Sequence, residues 1–208
     1  MNQYEPFIED PVHAGELDGQ RFVVLRIPGD VARRYDELRH AVRQRLSSLP
    51  VSYPARAHVT LVGFAAGAEL AAVQDVVRAW ARGTRPLSLE VERASTFPPP
   101  FQIVFVQVRK TPELFAALTR LRRAAEDRRI HLSTPVPTDE WISHVSLAYC
   151  PGLGAQAWEQ VARFVETLPA PDATAVVREA EVVAFDNGRE HSGGVFSLIG
   201  SNSSDTHQ

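Results

Sequence analysis

Two short runs in this chain repeat one chemical pattern: His58-Val59-Thr60-Leu61 within "HVTLVGF", and His144-Val145-Ser146-Leu147 within "HVSLAYC". Each sets an imidazole two residues before a hydroxyl, inside a short apolar stretch. Along a β-strand, side chains alternate between faces, so His58 and Thr60 share one face and Val59 and Leu61 the other. His144 and Ser146 are related in the same way. Brought into one cleft, the two pairs suit a phosphodiester. One neutral imidazole can take a proton from an attacking water or hydroxyl, and the other, as imidazolium, can give one to the leaving oxygen. The hydroxyls of Thr60 and Ser146 can donate to the non-bridging oxygens, where charge builds. This chemistry needs no metal, and no carboxylate-rich cage is evident.

The elements that must position these residues recur in the same order. "RFVVLRI" (21–27) reads as a strand, followed by a helix capped by Asp30, with Val31, Tyr35, Leu38 and Val42 on one stripe. The first histidine strand follows, then a helix over 68–81, a strand over 87–97, a "PPP" turn and a strand over 101–109. Thr111-Pro112 opens another helix, to about Arg129, with a cap and an N1 proline. The second histidine strand, a helix, a strand over 175–185, a loop "DNGREHSGG" and a last strand over 195–200 complete the series. Helix, histidine strand, helix, strand, strand therefore occurs twice, the signature of a duplication with pseudo-repeats at about 21–109 and 110–200. Two successive strands closing each half argue against a doubly wound parallel sheet. Residues 1–19 read as an arm packed on the outside, 20–200 as one bilobal domain, and 201–208 as a disordered polar tail.

The paired motifs resemble the H-x-[T/S]-x motifs of the two-histidine (2H) phosphoesterase superfamily. More narrowly, the chain resembles the bacterial 2′-5′ RNA ligase / RNA 2′,3′-cyclic phosphodiesterase (LigT-like) group over residues 20–200. The resemblance implies an α+β bilobal fold, with two antiparallel sheets around a central cleft and helices outside. It implies metal-independent hydrolysis of 2′,3′-cyclic phosphate ends, or cleavage and joining of 2′-5′ linkages. His58 and His144 match its catalytic histidines, and Thr60 and Ser146 its phosphate-binding hydroxyls. His144 is then the base for water and His58 the acid. The sequence departs from the pattern after the second motif, where Tyr149 stands in place of an arginine; Arg56 is a candidate substitute cation.

Tyr149, Phe64, Trp141 and Tyr53 flank the motifs and are candidates for stacking on a base, against the alternative of core packing. Arg120, Arg122, Arg123, Arg128 and Arg129 on one helix read as a basic patch or a solvated face. His13, His40, His131, His191 and His207 lack a repeated context and read as surface or structural. Cys150, the single cysteine, reads as a buried thiol without a disulfide partner. A net charge of −3 gives no global field for long nucleic acid. The expected partner is a small nucleotide or RNA end, with no cofactor, metal or obligate protein partner, and a monomer as the simple state. The N-terminus is acidic and lacks a signal-peptide h-region, and no run is long enough to span a membrane, so a cytoplasmic location is expected. Two competing readings are a nucleotide- or RNA-binding module without turnover, and an unrelated metal site recruiting Asp139 or Glu140 beside the histidines.

Overall fold

A computed structural model describes residues 6–8, 10–133 and 136–200; the tail 201–208 and part of the N-terminal arm lie outside them. A short helix α1 (Pro11–Glu16) precedes β1 (Arg21–Arg26), α2 (Gly29–Arg45), β2 (His58–Phe64), α3 (Leu70–Arg82), β3 (Leu87–Phe97) and β4 (Ile103–Val108). Then come α4 (Pro112–Asp127), β5 (His144–Tyr149), α5 (Ala155–Glu166), β6 (Ala173–Val177), β7 (Glu179–Asp186) and β8 (Arg189–Ser197). The strands form two four-stranded antiparallel sheets, ordered β2-β1-β7-β8 and β5-β4-β3-β6. Each histidine strand is therefore the edge of its own sheet. The α+β architecture with two antiparallel sheets is the one the resemblance implies.

The sheets interleave the chain. The run 175–185 is not one strand: β6 pairs with β3, the chain breaks at Arg178, and β7 pairs with β1 in the other sheet. Nor is "DNGREHSGG" a long loop. Asn187 and Gly188 both take positive φ (55° and 67°), and β8 begins at Arg189. Asn-Gly supplies the two left-handed residues that a tight hairpin needs. Asp30 does not cap α2 either. The helix opens at Gly29 after Pro28, and Asp30 sits in the first turn, paired with Arg33 at 3.0 Å. Thr111 does cap α4, its hydroxyl accepting from the Leu114 amide at 3.2 Å.

Apolar stripes dock the helices on the sheets. Val73, Val76, Val77 and Trp80 of α3 are buried, as are Leu114, Leu118 and Leu121 of α4. The Trp80 indole N–H donates to the Ala117 carbonyl at 2.9 Å and ties these two helices together. Val59, Leu61, Val145 and Leu147, the apolar halves of the two motifs, are each at most 2% exposed in a single core that runs through both sheets. Burying them anchors the strands from which the histidines project.

A two-histidine cleft as the candidate active site

Both histidine strands carry a β-bulge at the same place. Opposite β1, the pairing jumps from Val62 to Thr60, leaving Leu61 extra. Opposite β4, it jumps from Ala148 to Ser146, leaving Leu147 extra. An extra residue reverses the alternation beyond it. The fifth residue after each histidine, which strict alternation would send to the opposite face, thus returns to the histidine side. That residue is Gly63 in one strand and Tyr149 in the other, and both line the cleft with the histidines. Phe64 falls on the other face and is wholly buried.

His58, Thr60, His144 and Ser146 line one cavity of about 420 Å³. The histidines are held identically. The Nδ1 of His58 bonds the Arg56 carbonyl at 2.9 Å, and the Nδ1 of His144 bonds the Ile142 carbonyl at 2.9 Å. A carbonyl can only accept, so in each ring Nδ1 carries a proton, and in the neutral ring Nε2 keeps its lone pair. Aromatic rings fix both imidazoles edge-on: Phe7 stands 4.6 Å from His58, and Phe97 and Phe105 stand 4.9 and 5.3 Å from His144.

Burial lowers the His58 pKa to about 4; the Arg56 carbonyl opposes this, and charges on His144 and Arg26 add to it. His144 is lowered by burial as well, with the Ile142 carbonyl opposing. Burial raises the Tyr149 phenol, and the neighbouring Ser146 side chain opposes this.

The other sequence candidates divide. Trp141 and Tyr149 line the cleft, while Phe64 and Tyr53 do not. Tyr53 packs against the core with the Arg43 guanidinium 4.8 Å over its ring. Arg56 gives its carbonyl to His58 but lines a second cavity, with Phe7, Arg26 and Arg39, rather than the cleft. Arg122 is no part of a solvated basic face: it turns inward, is 9% exposed and lines the cleft. Cys150 is buried, and burial pushes its thiol up to about 11. Among the described residues, no group of three or more His, Cys, Asp and Glu could hold a metal ion.

Sequence reasoning missed the N-terminal arm. Phe7 is 2% exposed and packs with Ala14, Val24, Val183 and Phe185 on the cleft side of the first sheet. The Glu190 carboxylate accepts the Phe7 and Ile8 amides at 2.7 and 2.9 Å. His13 meets the Tyr149 ring at 4.6 Å. One local signal was available: Asp10-Pro11 is a cap followed by an N1 proline, and Asp10 does accept the Val12 amide at 2.9 Å. Phe7→Ala is expected to destabilise the fold by about 3 kcal/mol, as large-to-small changes at buried aromatics do. It should also return the His58 titration, followed by NMR, towards 6.5 as the ring regains water. An unmoved titration would show that Phe7 does not desolvate His58.

Two facing antiparallel sheets, each presenting a histidine and a hydroxyl from an edge strand into a shared cavity, define a two-histidine phosphoesterase type of protein. The family model described as the 2′-5′ RNA ligase superfamily matches residues 27–189, and the chain belongs to that superfamily. E. coli LigT complexed with 3′-AMP is similar in fold, with a TM-score of 0.61 at 16% identity over 86% of this chain and 98% of that one. TT0787 of Thermus thermophilus gives 0.58 at 17% identity, over 88% and 100%. Usb1 of Kluyveromyces marxianus gives 0.51 at 13% identity, over 87% and 98%. No curated protein matches the chain in sequence. Among the described residues, no helix is long and apolar enough to cross a membrane.

Proposed function

We propose that this protein is a metal-independent phosphodiesterase that opens 2′,3′-cyclic phosphate ends of RNA or nucleotides, leaving a 2′-phosphate. The observation that carries this reading is the pair of imidazoles in one cavity, each with Nδ1 tied to a backbone carbonyl and Nε2 left for substrate. E. coli LigT has been captured with 3′-AMP, ATP and NADP+, which supports a nucleotide as the occupant.

Burial lowers both rings, but the charges on His144 and Arg26 add to the lowering at His58, and this favours His58 rather than His144 as the base. A ring whose pKa is lowered to about 4 is neutral near pH 7, which is what a general base requires. In this mechanism His58 Nε2 takes a proton from water, and the water oxygen attacks phosphorus. The bond from phosphorus to the 3′ oxygen breaks, and His144, entering this step as the imidazolium, delivers its Nε2 proton to that oxygen. Thr60 and Ser146 donate to the non-bridging oxygens, and Tyr149 lines the same cleft.

The direct test is hydrolysis of a panel of 2′,3′-cyclic and 2′-5′-linked nucleotides in EDTA. Product carrying a 2′-phosphate supports the proposal; activity only after a divalent metal is restored would overturn it. Nucleotide affinity without product on prolonged incubation would favour a binding module. Thr60→Val is expected to lower kcat/KM about 100-fold, the usual scale for one lost donor to a transition-state oxyanion. A loss below about threefold, far under that scale, would remove Thr60 from the role.

A further inference from the structure

Arg122 is a cation that the two-histidine chemistry does not use. It projects from α4 into the protein, is 9% exposed and lines the same cavity as His58 and His144. Its Nη1 donates to the Val136 carbonyl and, at 3.2 Å, to the Thr138 hydroxyl, both neutral acceptors. Its Nε is buried with no hydrogen-bond partner. Among the described residues no carboxylate forms an ion pair with it, and the one acidic charge that acts on it is that of Glu126, one turn along α4. Glu140, which also lines the cavity, is exposed and not paired to it. A guanidinium this far out of water ordinarily has an anion beside it. Its hydrogen bonds go to the 136–138 segment and to none of the four motif side chains. A cavity of about 420 Å³ also has room beyond a single phosphate.

We propose that Arg122 forms a second anion subsite, which receives a phosphate of the substrate other than the reacting one. The preferred substrate class is then a nucleotide bearing, besides its cyclic phosphodiester, a further phosphate or pyrophosphate on the same molecule. This rests on the reading that the reacting phosphate lies between the two histidines. Among the described residues that line this cavity, Arg122 is the one arginine or lysine. Nη1 is engaged and Nε is sealed from solvent, so Nη2 is the donor left to meet a phosphate oxygen.

Equilibrium binding tests this without requiring turnover. Adenosine 2′-monophosphate and adenosine 2′,5′-bisphosphate are titrated calorimetrically into wild type, Arg122→Gln and Arg122→Lys, with thermal unfolding as a check on folding. Wild type is expected to bind the bisphosphate about 10- to 100-fold more tightly, the range for one or two charge-assisted hydrogen bonds. The ratio should fall to about one in Arg122→Gln and take an intermediate value in Arg122→Lys. If Arg122 only pins the 136–138 segment, both nucleotides weaken together and the ratio is kept, which overturns the proposal. A wild-type ratio of one, or no binding of either nucleotide, also overturns it. A cleft that shows the ratio but never cleaves a cyclic phosphate would sink the phosphodiesterase reading and leave this subsite standing.

Discussion

Replacing either His58 or His144 with alanine is expected to cut kcat/KM for a 2′,3′-cyclic nucleotide by about 1,000-fold or more. General acid–base groups contribute roughly 100- to 10,000-fold each, and here the two act in one proton-transfer sequence. Because they act as a unit, the double variant should be little worse than either single one. The roles separate with a second substrate, an aryl phosphodiester whose phenolate departs without a proton. His144→Ala, having lost the acid, should recover most of its activity on that substrate. His58→Ala, having lost the base, should not. Recovery in His58→Ala instead would restore the assignment suggested by the sequence alone. Equal residual activity of both variants on both substrates would mean that neither ring transfers a proton.

A second large effect concerns stability rather than turnover. Folding lowers the pKa of His58 from an ordinary value near 6.5 to about 4, chiefly by burial. Between these values the unfolded chain binds a proton that the folded protein refuses. Stability is therefore fully present above about pH 6.5, is lost as pH falls towards about 4, and levels off below it. The loss is on the order of 2–3 kcal/mol for this one ring. His144 and His13, both lowered by burial, act in the same direction. Denaturant unfolding of wild type and His58→Gln at about pH 7.5 and about pH 4.5 isolates the contribution, because carboxylate protonation is common to both proteins and cancels. The variant should lose less stability on acidification by roughly that amount. Equal losses in the two proteins would show that His58 keeps an ordinary pKa in the fold.

Several features of the protein are local and were legible in the residues themselves. Thr111-Pro112 caps α4 through chemistry confined to one turn. The strand 87–97 alternates strongly enough to be read to the residue. Most telling, His-Val-hydroxyl-Leu appears twice, and period-two alternation alone puts each imidazole beside its hydroxyl and away from the core. The 2′-5′ RNA ligase superfamily match and the pair of antiparallel sheets agree with what that repetition implied.

What the residues could not give is whatever depends on a partner distant in the chain. Nothing in 175–185 marks Arg178 as the point where one strand leaves a sheet and the next joins another, because pairing is decided by the complementary edges of β3 and β1. The bulges at Leu61 and Leu147 exist only against the facing strands, yet they decide that Tyr149 enters the cleft and Phe64 the core. The arm looks peripheral until Phe7 is seen edge-on to His58. Arg122 looks like one arginine of a wet helix face until docking of α4 turns it inward. Periodicity belongs to a single strand or helix and can be read along it. Burial, and the shift of a titrating group that follows from burial, are set by the other surfaces that close over that element, and only the folded chain brings those surfaces together.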